Sequence, residues 1–467
     1  MIALSLGEIA SIVGGVPHNL DVSRVTSAAP IIDSRKAKSG TFFCAFKGKN
    51  QDGNQFAEAA IDAGAEFVLT TAALGVPSIQ VDDVGRALSV LAKEVRTRIS
   101  AKVIGITGSQ GKTTTKDLLR AVLSTKGEVI APEGSFNNEL GVPLTLLGAT
   151  EKTAFVILEM GARHTGDIAH LCSIAKPNIG LVLVVGSAHV GEFGSVEKLA
   201  ATKAELIDTL SDAGIAILGD YDAYTPTFGS SRRIKRIIFG ENAHDNVRAA
   251  DIELRSGRAH FDLVTPDGRA GCSLRLVGAH HVANALAAAA VGFACGISPE
   301  LLAGALSTAE VASKWRMELH EVNGVTVIND SYNANPESMA AALRTASLLA
   351  QESGGSCWAL LGKMHELGAS EVESHLEIGR LASELHIDHL VEVGEVRFAP
   401  SAESAIGEME IHRCAASEAV QIFLPYISEG DVIVIKASRA EQLDRLAEEL
   451  IHELRAREEK GKEGSEE

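Results

Sequence analysis

Gly105-Ile-Thr-Gly-Ser-Gln-Gly-Lys-Thr-Thr114 is a glycine-rich turn set between two periodic segments. Before it, Val103 to Thr107 is a short apolar run that reads as a strand. After it, Lys112 to Lys126 reads as a helix, because Leu118, Leu119, Val122 and Leu123 recur at helical spacing. Strand, glycine turn and helix N-terminus are together the context that a phosphate-binding loop requires. Glycines let backbone N–H groups turn toward a polyphosphate, and the helix start adds partial positive charge. The candidate nucleotide-binding stretch is therefore Gly108, Ser109, Gln110, Gly111, Lys112, Thr113 and Thr114. Lys112 can reach the β/γ-phosphates and Thr113 can ligate Mg²⁺. The strict G-x-x-x-x-G-K-[ST] pattern is not met, since Ile106 stands where its first glycine belongs.

Outward from the loop, the runs Ala154 to Glu159, Ile179 to Val185 and Ile215 to Leu218 are continuously apolar, as in a parallel sheet covered on both faces. The alanine-rich stretch Asn284 to Ala294 predicts a helix closed by Gly296. Upstream, residues 1–100 predict a small α/β unit, with helices at Leu6 to Val13, Phe56 to Ala63 and Leu88 to Ile99 and strands at Thr41 to Phe46 and Glu66 to Thr70. Downstream, strands at Val325 to Asn329, Trp358 to Leu361, His389 to Val393 and Val432 to Lys436 alternate with helical segments. The expected architecture is α/β in three domains. A central P-loop parallel-sheet ATPase domain (101–312) lies between a small α/β domain (1–100) and a Rossmann-like C-terminal domain (313–456). The polar tail 457–467 is expected to be disordered.

Composition narrows the class. A chain of 467 residues exceeds one hydrophobic core. With 46% apolar and 22% charged residues it is globular, and its net charge of −18 argues against nucleic acid as a partner. The six cysteines form no C-x-x-C pair, so buried thiols are expected rather than structural zinc or a disulfide framework. The N-terminus lacks a basic n-region and no apolar run is long enough to span a bilayer, so a cytoplasmic chain without membrane insertion is expected. A monomer is expected.

The T-G-S-x-G-K-T form of the loop resembles that of the Mur ligases and folylpolyglutamate synthetases. The resemblance extends over nearly the whole chain. Asn137-Asn138-Glu-Leu-Gly141-Val-Pro143 is similar to the N-N-x-x-G-x-P segment, and Gly278-Ala-His-His-Val-Ala-Asn284 to G-x-H-x-x-x-N. Glu159, in Leu-Glu-Met-Gly161, matches the metal-binding Glu, His189 the metal-associated His and Lys203 the lysine that is often carbamylated. Asn284 matches the residue that meets adenine, and Arg316 and Asp330 fit the Arg and Asp supplied to the nucleotide by the C-terminal domain. Within the family, Asn329-Asp-Ser-Tyr-Asn-Ala-Asn-Pro336 and Leu361-Gly-Lys-Met-His-Glu-Leu-Gly368 are similar to the branch that adds D-alanyl-D-alanine. The chain departs from the family at Asn54, Lys363, Ala437 and Trp315.

The resemblance implies an ATP-dependent acid–amino-acid ligase of peptidoglycan synthesis. UDP-N-acetylmuramoyl-tripeptide and D-alanyl-D-alanine would be its partners, with ADP and phosphate as products. A carboxylate is inert to amines until phosphorylated, and bringing it against a triphosphate requires cations. Lys112 supplies one; Glu159 and Thr113 suit one Mg²⁺, and His189 with a carbamate on Lys203 would suit a second. In the first domain Asp33-Ser34-Arg35, Lys47 and Asp52-Gly-Asn54 resemble UDP-sugar-binding segments. Asn138, Tyr332, Asn333 and Asn335 would lie near substrate. Arg316 and Asp330 stand outside the loop domain, so closure is expected to complete the site. Two rivals from other classes are a P-loop ATPase without an amide product and a nucleotide-dependent regulator without turnover. The first-domain segments and Lys203 argue against both.

Overall fold

The computed structural model describes residues 1–48, 51–186, 193–310, 313–399 and 409–463, with side chains as far as Arg457. Near the N-terminus a five-stranded sheet runs in the order Val16–His18, Ser78–Gln80, Val68–Thr70, Thr41–Cys44, Ala29–Ile31. Its strands are parallel except for Val16–His18. The helix Leu6–Val13 starts where the Ser5 hydroxyl accepts from the Glu8 N–H at 3.1 Å, and it stops at Gly14, whose φ of 66° is left-handed.

The central sheet has nine strands. Its order is Gly268–Val277, Arg258–Thr265, Val247–Arg255, Lys235–Gly240, Ile215–Gly219, Ile179–Val182, Lys102–Thr107, Thr153–Glu159, Glu128–Ile130. From Val247–Arg255 to Glu128–Ile130 the pairing is parallel. Alternation along the strands feeds two cores. Ile104, Ile106, Ile157, Leu181 and Ile217 pack toward the helices Lys112–Ser124 and His281–Ala294. Val103, Val156, Leu158, Val182 and Leu218 point the other way, into a core that also holds Leu88, Leu91 and Val95 of the helix Val84–Arg98. The N-terminal sheet unit and the central sheet therefore share one continuous apolar interior. Each such side chain contributes about 1.5–3 kcal/mol when fully buried.

Two strands, Arg258–Thr265 and Gly268–Val277, extend the sheet as an antiparallel pair. The apolar runs predicted no strand here. In Arg258–Thr265 only alternate residues, Ala259, Phe261, Leu263 and Thr265, are buried, so no continuous apolar run marks it.

The third sheet runs Glu318–Val322, Val325–Asn329, Val432–Lys436, Cys357–Leu361, His389–Val393, Glu410–Cys414, all parallel but the first. The last helix, Leu443–Glu463, continues past Arg457, so residues 457–463 are helical where a disordered tail was expected. The Arg, Glu and Lys residues of that stretch are good helix formers; residues 464–467 lie outside the described part. Five cysteines are buried, Cys414 is half-buried, and all six are free thiols. Among the described residues, no helix is long and apolar enough to cross a membrane.

Candidate active site

Parallel α/β sheets present their ligand-binding residues beyond the C-terminal ends of the strands. Here two sheets do so toward one cavity of about 830 Å³. The central sheet contributes the turn after Thr107 and the strand end at Glu159. The third sheet contributes Asp330 after Asn329, Glu366 and Lys436.

The turn is held against the segment that follows the neighbouring strand Ile179–Val182. The Ser109 N–H donates to the Val184 carbonyl at 2.9 Å, and the Ser109 hydroxyl accepts from the Gly186 N–H at 2.9 Å. Gly111 has φ 80°, and a Cβ there would stand 2.3 Å from the Asn284 Oδ1, so conformation and space both require glycine. The helix Lys112–Ser124 then begins without a side-chain cap, leaving its first N–H groups facing the cavity. Lys112 donates from Nζ to the Gly108 carbonyl at 2.6 Å. Burial holds its amine below the usual lysine range, against the opposing pull of Glu159.

A chain of contacts runs across the cavity floor. Glu159, only 1% exposed, accepts from the Thr113 hydroxyl at 3.0 Å and from the Asn137 amide at 3.0 Å. Thr113 Oγ1 lies 3.0 Å from Ser135 Oγ, which accepts from the Arg316 guanidinium at 3.1 Å. Arg316 in turn lies over the Tyr332 ring, 4.0 Å from its centroid. The guanidinium expected to need closure thus already reaches the loop unit. Its Nε is buried without a hydrogen-bond partner. A buried guanidinium N–H with no acceptor beside a polyphosphate-type loop is a donor available to an oxyanion.

Asp330 is paired on the protein side. It accepts from Lys436 Nζ at 2.6 Å and from the Met317 N–H at 3.1 Å, while Lys436 also donates to the Asn333 carbonyl at 2.7 Å. Lys203 is buried on the helix Val196–Asp208 and lines the cavity. Burial, then the charge of Lys112, push its amine well below the ordinary lysine range. Asn284 Oδ1 accepts from the Thr115 hydroxyl at 3.2 Å, and its Nδ2 lies 3.2 Å from His281 Nδ1. Asn335 caps the helix Pro336–Ser353 and accepts from the Ser338 N–H at 2.8 Å. Asn138 accepts from the Gly141 N–H at 3.0 Å. Asn284, Asn335, Asn138, Tyr332 and Asn333 all line the cavity.

His189 lies outside the described residues. Asp33, Ser34, Arg35, Lys47, Asp52 and Asn54 do not line the cavity. Asp33 holds Arg35 in an exposed two-pronged pair at 2.9 and 2.8 Å, and Asn54 accepts from the Thr70 hydroxyl at 2.6 Å. Sequence reasoning passed over four contributors. Asn137 stands beside Asn138 in the same segment. Lys436 ends a continuous apolar strand, a position shared with Glu159. His281, in the Gly278 to Asn284 segment, is buried with Nε2 unpartnered. Ser135 carries no such signal; its loop is anchored by the buried Lys116, which donates to the Pro132 and Gly134 carbonyls at 3.1 Å.

Comparison with known proteins places this geometry. Family models match over most of the chain: the Mur ligase family catalytic domain at residues 31–97, the Mur ligase middle domain at 106–292, and the Mur ligase glutamate ligase domain at 315–439. A UDP-N-acetylmuramoyl-tripeptide–D-alanyl-D-alanine ligase of Mycobacterium tuberculosis is 39% identical over 97% of this chain and 98% of its own. The ligase of the same name from Bacillus subtilis is 34% identical over 97% and 99%. Among solved structures, MurF from Acinetobacter baumannii superposes with a TM-score of 0.83 at 29% identity, covering 96% of this chain and 99% of its own. MurF ligase from Thermotoga maritima in complex with ADP gives 0.77 at 28%, covering 92% and 99%. A chain matched in all three segments and along nearly the full length of its relatives, with a phosphate loop, a buried Glu159 and a cross-unit Arg316 in one cavity, belongs to the Mur ligase family.

Proposed function

We infer that this chain joins D-alanyl-D-alanine to UDP-N-acetylmuramoyl-tripeptide with cleavage of ATP to ADP and phosphate, an amide-forming step of peptidoglycan synthesis. The observation that carries the reading is the meeting of Lys112, the Thr113–Glu159 pair and Arg316 in one cavity. It stands in a chain 39% identical to a ligase named for that reaction.

The carboxylate at the end of the tripeptide attacks the γ-phosphorus of ATP, and ADP leaves. The amine of D-alanyl-D-alanine then attacks the acyl carbon, the amide forms, and phosphate departs with the mixed anhydride's oxygen. Lys112 and Arg316 oppose the charge that brings a carboxylate against a triphosphate. The helix start at Lys112 adds its N–H groups on the same side. The Glu159 carboxylate and the Thr113 hydroxyl, buried and 3.0 Å apart, are hard oxygen donors that fit Mg²⁺. Mg²⁺ held by these two residues would neutralise charge on the phosphate oxygens.

Lys203 fits carbamylation. Carbon dioxide adds to a neutral amine, and burial beside Lys112 favours that form. The carbamate would offer oxygen donors toward a second Mg²⁺ together with His189. A ¹³C-carbamate resonance from labelled bicarbonate, lost in Lys203→Ala, checks this. Asn284 is the residue for adenine, Tyr332, Asn333 and Asn335 border the incoming dipeptide or the nucleotide, and the segments around Asp33, Lys47 and Asn54 serve the uridine end.

Phosphate release from ATP plus UDP-N-acetylmuramoyl-tripeptide, with and without D-alanyl-D-alanine, tests the function. Release that depends on the dipeptide and matches the amide formed is expected. Equal release in both arms overturns the reading.

A further inference from the structure

We propose that His389, Glu410 and His412 form a divalent transition-metal site, best suited to Zn²⁺, at the outer edge of the third sheet. None of the three lines the catalytic cavity. Cavity residues follow the C-terminal strand ends, whereas His389 and Glu410 each open a strand at the other end of the sheet.

The backbone places the three together. Strands His389–Val393 and Glu410–Cys414 are parallel neighbours, with His389 opposite Glu410 and Val391 opposite His412. Alternation puts positions 410 and 412 on one face, and the register puts 389 on that face beside them. Glu410 Oε2 lies 3.3 Å from His389 Nδ1 and 3.6 Å from His412 Nε2, and the two ring nitrogens are 3.4 Å apart.

These separations are long for direct hydrogen bonds, which centre near 2.9 Å. They match the edges of a coordination tetrahedron: ligands at about 2.0–2.1 Å from zinc stand about 3.3–3.4 Å from one another. Two imidazoles and one carboxylate are a donor set for zinc-like ions, not for Mg²⁺, which selects oxygen. Both rings are also held in place. Trp358, on the adjacent strand, stacks on His389 at 3.7 Å, and Phe423 meets His412 edge-on at 5.2 Å. Three protein donors would leave the fourth position of a tetrahedral ion for water. Such a site would tie the edge strand to its neighbour.

The test is zinc content after equilibrium dialysis of the full chain with excess Mg²⁺ and ADP, for wild type, His412→Ala and Glu410→Gln. Wild type is expected to retain one more zinc per chain than His412→Ala. Glu410→Gln should bind that ion at least ~10-fold more weakly, having lost the charged one of three protein ligands. Zinc should raise the melting midpoint of wild type and leave that of His412→Ala in place, while ligase activity in Mg²⁺ is the same in both. Equal zinc content in wild type and His412→Ala overturns the site, as does a zinc-induced shift that survives in both variants.

Discussion

Lys112 and Glu159 carry opposite charges within one buried site, and each is expected to fail differently. Lys112→Ala removes the cation from the loop while the Gly111 turn stays, so kcat/KM should fall on the order of 10³-fold. Retention of more than a tenth of wild-type turnover would sink the loop assignment. Glu159→Gln keeps the hydrogen-bonding shape toward Asn137 but loses the charge that draws Mg²⁺. A Mg²⁺ titration of activity should shift to at least ~10-fold higher concentration, because magnesium relies on carboxylate oxygen. At this scale the sequence was most legible where chemistry and position coincide. Lys112 follows Gly111 in a strand–turn–helix context, and Glu159 closes an apolar run within a segment that matches the family, so each was legible. Ser135 did not, because its role exists only through Thr113 and Arg316, which are distant in sequence. Asn284 was legible from its match to the family segment; that its partners include Thr115 and His281 is a property of packed helices.

Two helices convert local chemistry into stability. The helix Pro336–Ser353 opens with a capping box between Asn335 and Ser338. Asn335→Ala should cost about 1 kcal/mol, or about 3 °C of melting temperature for a chain unit of this size. An unchanged midpoint in a thermal melt would remove the cap from the account. The helix His281–Ala294 begins with a buried imidazole whose pKa burial, then neighbouring His280, holds well below its usual 6.5. The folded form therefore resists a proton that the unfolded chain accepts. Stability is full above about pH 6.5 and falls as the pH drops below it toward the depressed folded value. Denaturant midpoints at about pH 7.5 and 5.5 should show this loss in wild type and a smaller one in His281→Gln; equal losses would exclude His281 as the source. Helices and buried parallel strands were readable because their apolar runs and repeats are continuous. The strand Arg258–Thr265 was not, since only its alternate residues Ala259, Phe261, Leu263 and Thr265 are buried and carry the signal.

Across the whole molecule the site belongs to two units. Arg316 and Asp330 arrive from the third sheet, and the contacts that bring them in are the Arg316–Ser135 bond at 3.1 Å and the Ser313–Asp117 bond at 2.7 Å. Arg316→Ala should leave ADP affinity within about threefold while lowering kcat about 10²-fold, because the guanidinium matters most when charge moves onto the transferring phosphoryl group. Calorimetric ADP titration beside steady-state kinetics separates the two; a parallel collapse of both would assign Arg316 to ground-state binding. Three α/β units in series could be anticipated from strand and helix alternation. The common core of Leu88, Leu91 and Val95 with Val103 and Val156 could not, because nothing local in those segments says which neighbour they meet.

The divided cradle also governs leakage. On the proposed reading, ATP on the central loop would meet Lys112 there and the Arg316 guanidinium from another part of the chain. Loss of the Arg316–Ser135 contact would withdraw that charge from the loop, and with it the means of passing phosphate to a stray water. On the proposed reading, the joint that completes the site for synthesis would also set how readily ATP is lost to water.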